Sequence, residues 1–205
     1  MSNDSLSRYS RYGNTQSIYH YPNTEVYINK LGIKDPDILL SIENDLTYQR
    51  LSELHLHPMK GRFGKTHLLN IHKYIFQDLY PFAGKIRKET IWKGKTQFCD
   101  CRFISENLNL LFSKLKADKF FVGLNVEEFC TKSASFLAEL NMIHPFREGN
   151  GRAIREYFRC LALKCGYRID WSLTDKDKLL NAFIYAVDKY NSRLVECVYD
   201  IIENK

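Results

Sequence analysis

Long apolar runs are missing from this chain: the longest, Ala182 to Val187, is six residues and far short of a bilayer span. Cys-x-x-Cys pairs are missing too, and the six cysteines (99, 101, 130, 160, 165 and 197) follow no zinc-finger spacing. Cys99-Asp100-Cys101 is too tight for an ordinary structural zinc pair, and four of the others lie singly in apolar, helix-like surroundings. They read as free thiols in a reducing compartment, so the expected setting is the cytosol. No repeat or low-complexity stretch is present, and no basic start with an apolar segment of the Sec type is visible. Long basic blocks are also absent. Thirty Lys and Arg against 24 Asp and Glu give a net charge of +6, which permits an acidic partner without naming one and is no evidence for nucleic-acid binding.

What is present suits one ordinary domain. With 205 residues and 44% hydrophobic composition the chain can build a core. Residues 1–20 are rich in Ser, Arg, Tyr and Asn and lack periodicity, so a mobile lead-in is expected there. Asp35-Pro36 opens a helix, because Asp can cap and Pro is tolerated at the first helical position. Ile38, Leu39, Ile42, Leu46, Leu51 and Leu54 continue it at helical spacing. Further helices are predicted over about 66–80, from Ser105 onward, over 126–142 and over 152–165. A last one, capped by Thr174-Asp175, runs to about Tyr190. Between residues 85 and 103, Ile91 and Trp92 precede Lys93-Gly94-Lys95 and Phe98 follows, which predicts a β-hairpin with Gly94 at its tip. The expected architecture is all-α with one small hairpin.

One segment carries chemistry. His144-Pro145-Phe146-Arg147-Glu148-Gly149-Asn150-Gly151-Arg152, with Arg155 one turn on, lies between two predicted helices and opens the second. A helix N-terminus presents unpaired N–H groups, and Gly-Asn-Gly lets that backbone approach a phosphate closely. Arg152 and Arg155 are three apart and project from one face, as a clamp for two phosphoryl groups. Glu148 offers Mg²⁺ an oxygen ligand, and His144 titrates in the range of a general base near neutral pH. Phe146 is assigned to the core. Taken singly, Gly-Asn-Gly is usually a turn and a His before Pro usually just ends a helix; together the elements complement a metal-bound polyphosphate.

Three other patterns are set aside. Gly94-Lys95-Thr96 resembles the end of a phosphate-binding loop, but the required upstream glycine is Glu89 and a strand, not a helix, is predicted there. His55 and His57 alternate and point apart on a helix. His67 and His72 are five apart, and the zinc-binding helical pair needs four.

His144 to Arg155 resembles, at every specified position, the HxFx(D/E)GNGRxxR signature of Fic domains. The resemblance covers roughly residues 20–200, with Tyr80-Pro-Phe-Ala-Gly-Lys85 similar to the Fic turn before the hairpin and residues 90–98 similar to the family's target-docking flap. It implies a Fic domain over 21–200, mostly helical, that transfers AMP from ATP to a Tyr, Thr or Ser hydroxyl of a target protein. On that resemblance His144 deprotonates the hydroxyl and Glu148 holds Mg²⁺. Gly149, Asn150 and Gly151 form an anion hole, and Arg152 and Arg155 orient the β- and γ-phosphates. The flap, about Lys93 to Cys99 and centred on Gln97 and Phe98, takes the target as an added strand and borders the nucleotide. Asn181 is a candidate adenine contact. The related Doc kinases carry Lys where Gly151 stands, so Gly151 favours AMP transfer over phosphorylation. Many Fic proteins carry an inhibitory [S/T]xxxE[G/N] helix. Here only Ser192 to Glu196 half matches, and Cys197 follows the Glu, so a separate small antitoxin protein is the expected inhibitor. The implied setting is the bacterial cytoplasm, or a host cell for a translocated effector. Two alternatives stay open at this point: the same fold with another nucleotide or a phosphocholine donor, and a non-catalytic module that grips a partner strand.

Overall fold

A computed structural model of the chain describes residues 10–11, 16–188 and 190–204. Helix α1 covers Pro36–Leu56, and the Asp35 carboxylate caps it by accepting the N–H groups of Asp37 and Ile38 at 2.9 and 3.0 Å. Its buried positions are Leu39, Glu43, Thr47 and Leu54, so two polar side chains lie on the stripe that faces the core. Helix α2 spans Lys65–Phe76. It ends four residues before the expected Tyr80, and past its end the Leu79 N–H tightens to the Phe76 carbonyl, three residues back.

The expected hairpin forms from β2, Ile91–Lys93, and β3, Thr96–Gln97, paired antiparallel with Trp92 opposite Gln97. Gly94 takes the left-handed conformation (φ 58°) that the tight turn requires. A further strand, β1 (Ser10–Arg11), pairs antiparallel with the other side of β2, so β2 is central and β3 is an edge. The rest of the described lead-in is packed rather than loose. Ser17 is buried, and its hydroxyl and the Ile18 N–H both bond the Glu89 carboxylate, at 2.8 and 2.9 Å. Within the expected lead-in, residues 16–20 thus contact the rest of the domain, and residues 1–9 and 12–15 lie outside the described residues.

Helices α3 (Ile104–Ala117), α4 (Val126–Ile143) and α5 (Asn150–Lys164) follow. Asn125 and Glu128 close a capping box at the start of α4. The expected last helix forms as α6, Lys176–Val187, capped by Asp175, and a further helix not expected, α7, Ser192–Asp200, lies beyond it. Helix α4 packs against α3, α5, α6 and α7, and α5 is held between α2 and α4. The core centres on Phe129, Phe136, Leu137, Leu140, Phe146, Tyr157 and Phe158. All six cysteines are free thiols. Glu196, in the half-matching inhibitory pattern, is exposed on α7, an ordinary outer helix face.

Candidate active site

The loop between α4 and α5 is built from its own residues. His144 ends α4 in a left-handed conformation (φ 47°) and sends its N–H to the Leu140 carbonyl. The Asn150 side chain then closes the loop: its carbonyl accepts the Phe146 N–H at 2.9 Å and its amide donates to the Phe146 carbonyl at 2.8 Å. Asn150 thus spends its side chain on the loop and offers an anion only its backbone. Gly149, at φ 75°, starts α5 with no capping side chain, so the first N–H groups of that helix face the site uncapped. A Cβ on Gly149 would lie 2.1 Å from Cζ of Phe76, so only glycine fits between this turn and α2.

His72 braces the loop from below. Its Nδ1 accepts the Gly84 N–H at 2.8 Å, which leaves the proton on Nε2 to donate to the Glu148 carbonyl at 2.9 Å. Its ring stacks on Phe146 with centroids 3.7 Å apart. No group of three His, Cys, Asp or Glu that could hold a metal ion occurs among the described residues. The task of His72, fixing the loop, has no sequence spacing to announce it.

Glu148 is buried and its carboxylate accepts its neighbour Gly149's N–H at 2.8 Å. Burial, and then the negative charge of Glu43, push its pKa up. One buried carboxylate is too little for an all-protein cation cage. It does suit Mg²⁺, which habitually takes one or two carboxylates and completes its shell with phosphates and water.

The two arginines of the motif have unlike surroundings. Arg152 bonds the Glu43 carboxylate and, at 3.1 Å, the Thr47 hydroxyl, both on α1, while its guanidinium covers the Phe76 ring. Tyr80 donates to the other oxygen of Glu43, which is 1% exposed. Arg155 has no hydrogen-bond or ion-pair partner for its guanidinium among the described residues, and burial together with the Arg152 charge lowers its pKa. A half-buried cation without a counter-ion is a site for an incoming anion.

His144 is buried, and burial, aided by the charges of Arg87 and Lys93, pulls its pKa down to about 3. The expected titration near neutrality is thus displaced, because the ring is desolvated. Its Nδ1–H donates to the Asn141 carbonyl at 2.8 Å, so Nε2 carries the lone pair. Phe98 stacks on this ring, centroids 3.8 Å apart and planes 20° apart. Phe98 is buried in that stack, whereas Gln97 is exposed on β3. Arg87, missed in the sequence, ties the flap to the base: its guanidinium donates to the carbonyls of His144 and Ile143 on one side and of Glu89 and Cys99 on the other. Arg147 donates to the Tyr27 hydroxyl at 2.9 Å, and that hydroxyl in turn donates to the Glu148 carboxylate at 3.4 Å. Asn181 is exposed on α6, a helix that packs on α4 and α7, and has no hydrogen bond to the motif loop.

The structure therefore joins His144, Phe98, Glu148, Gly149 to Arg152 and Arg155 around one loop, and adds Glu43, Thr47, Tyr80, His72 and Arg87 to them. A sequence signal for Glu43 and Thr47 exists: they occupy core positions on the stripe Leu39, Glu43, Thr47, Leu54.

Comparison with known proteins identifies the family. The model of the Fic/DOC family matches residues 62–162. Protein adenylyltransferase VbhT of Bartonella schoenbuchensis is 36% identical over 174 residues, which is 85% of this chain but 36% of that protein. The probable protein adenylyltransferase Fic of Salmonella typhimurium is 35% identical over 161 residues, 78% of this chain and 80% of that protein. Among solved structures, the N-terminal Fic domain of a VirB-translocated Bep effector from Bartonella quintana, with bound ADP, superposes with a TM-score of 0.83 at 28% identity, over 90% of this chain and 94% of that one. With a complete motif, the flap beside its histidine and a relative of similar length, the chain belongs to the Fic/DOC family.

Proposed function

We propose that this chain is a protein adenylyltransferase, moving AMP from Mg-ATP to a Tyr, Thr or Ser hydroxyl of a target protein and releasing diphosphate. One observation carries the reading: an uncapped helix N-terminus, the uncompensated Arg155 and a His144 with its lone pair on Nε2 surround the same loop. The N–H groups at Asn150 to Arg152, at the start of α5, receive phosphate oxygens, and Arg152 and Arg155 orient the outer phosphates. Glu148 would hold Mg²⁺, which supplies neutralisation of phosphate charge. His144 Nε2 accepts the proton of the target hydroxyl. The hydroxyl oxygen then bonds the α-phosphorus, the bond from that phosphorus to the bridging oxygen breaks, and diphosphate leaves. The polyphosphate anion raises the basicity of His144 from its ligand-free value, since a nearby negative charge favours imidazolium.

Gly151 supports transfer of AMP rather than phosphate. A Cβ there would stand 3.1 Å from Nη1 of Arg155, so a larger residue would displace the guanidinium that orients the triphosphate. The absence of any carboxylate partner for Arg155 among the described residues also fits inhibition from outside, by a small antitoxin that supplies an acid. No helix among the described residues is long and apolar enough to cross a membrane. The reading places the enzyme in the bacterial cytoplasm, or in a host cell after translocation. Intact-mass measurement of a target incubated with Mg-ATP tests it: an adduct of AMP supports the proposal, and an adduct of phosphate alone overturns it.

A further inference from the structure

The sheet is asymmetric. Strand β1 pairs with one side of β2, and β3 pairs with the other, so the outer side of β3 is the edge of the sheet among the described residues. This edge leads directly into the site, because the residue after β3 is Phe98, stacked on His144. A cavity of about 330 Å³ continues the edge, lined by Gln97, Phe98, Cys99, Asn107, Met142 and Ile143. Its walls are mainly apolar, and the Asn107 amide that borders it is already turned to the Cys99 sulfur, 3.1 Å away.

Charge marks the other end of the strand. Lys93 and Lys95 flank the hairpin tip, both are exposed, and neither has an ion-pair or hydrogen-bond partner for its ammonium among the described residues. Lys85 and Lys88, on the chain leading to β2, are exposed and lack such partners as well. No exposed carboxylate offsets them between residues 85 and 97, since Glu89 is turned inward to Ser17, Ile18 and Arg147. At the cavity end the sign reverses: Glu106 is exposed next to Asn107 in the first turn of α3.

Docking of the target as an added strand on the flap is what the Fic resemblance already implies; beyond it, we propose that the docked segment is acidic, with carboxylates at the hairpin tip against Lys93 and Lys95 and an apolar side chain in the cavity beside Phe98. The inference rests on the adenylyltransferase reading and names the kind of substrate it acts on. Backbone pairing with β3 fixes the depth of the segment, the lysines select its charge, and the cavity fixes which residue comes over His144. Lys93 is also close enough to depress the basicity of His144, so a target carboxylate that neutralises Lys93 strengthens the base as it docks.

The test uses two synthetic Tyr-containing peptides that differ only in flanking Glu or flanking Lys residues, each with an apolar residue on the cavity side. AMP incorporation from Mg-ATP is measured with the wild-type chain and with the charge-swapped Lys93→Glu, Lys95→Glu variant, and peptide binding by fluorescence anisotropy on His144→Ala. Wild type is expected to favour the Glu peptide about fivefold to tenfold at low salt, the scale of two exposed ion pairs, and the swapped variant to favour the Lys peptide. Equal use of the two peptides, or the same preference in both proteins, overturns the docking inference, even where AMP transfer itself is normal. If the Glu peptide binds His144→Ala selectively but wild type transfers no AMP to it, the docking stands and the transferase reading falls.

Discussion

The Glu43 carboxylate on α1 is hydrogen-bonded to the Arg152 guanidinium on α5, whereas Arg155, one turn further along α5, meets no acid among the described residues. The two arginines of the motif thus differ in what removing them, or their partner, should do. Glu43→Ala takes the hydrogen-bonded carboxylate from the half-buried Arg152 guanidinium, leaving it the Thr47 hydroxyl and Glu148 at 3.9 Å, and strands the buried Tyr80 hydroxyl. It should cost about 3–5 kcal/mol of stability, and Glu43→Gln, which keeps an acceptor for Arg152, distinctly less. Urea unfolding of the two variants checks this; equal losses would mean that shape rather than charge holds the contact.

Arg155→Ala should separate folding from binding. Stability stays the same or rises, because a half-buried cation without a partner is removed. Affinity for ATP falls by about 1–3 kcal/mol, the scale of a charged hydrogen bond, or about 5- to 150-fold. Thermal melting beside ATP calorimetry reads both. A large stability loss with unchanged ATP affinity would remove Arg155 from the phosphate site.

The two motif glycines are predicted to respond in opposite ways. Gly149→Ala meets both a left-handed backbone and the Phe76 ring 2.1 Å from the new Cβ, so a loss of about 2–4 kcal/mol is expected. Gly151→Ala lies inside α5 and should be neutral or stabilising by up to about 1 kcal/mol. It should nevertheless weaken ATP binding, because its Cβ crowds Arg155. Denaturation midpoints and ATP titration of both variants decide the matter.

Acid should destabilise the loop through its histidines. His72 and His144 are both pushed from an ordinary 6.5 down to about 3, with burial the largest cause in each. Between those values the unfolded chain binds protons that the native state refuses, so stability falls as pH drops from about 6.5 towards about 3 and is flat above. Glu148, whose pKa is raised, works the other way: its contribution favours acid and is lost as pH rises through its folded value. Urea midpoints across this range should therefore fall with acid less steeply in His72→Gln than in wild type. Identical slopes would show that His72 is not a neutral brace.

How much of this was legible in the sequence follows from how local each feature is. The motif loop is local, and its residues fell where their spacing put them, as did the Asp35 and Asp175 caps and the Gly94 turn. The supports are not local. Glu43 reaches Arg152 across 109 positions and Arg87 reaches His144 across 57, distances over which no periodicity operates. Helix α7, beyond the expected last helix, went unpredicted because its nine residues bury only Leu194, Cys197 and Val198, a stripe too short to show a period. The depressed basicity of His144 was invisible for a different reason: it comes from burial under Phe98 and from the charges of Arg87 and Lys93, and spacing along the chain does not encode desolvation.

The central claim, AMP transfer that depends on His144, is tested most directly with ATP labelled in turn at the α- and the γ-phosphate, incubated with wild type or His144→Ala in the presence of target-containing lysate and Mg²⁺. The α-label should enter protein with wild type only, and the γ-label should leave as diphosphate. Incorporation of the γ-label, or equal α-labelling by His144→Ala, would contradict the account.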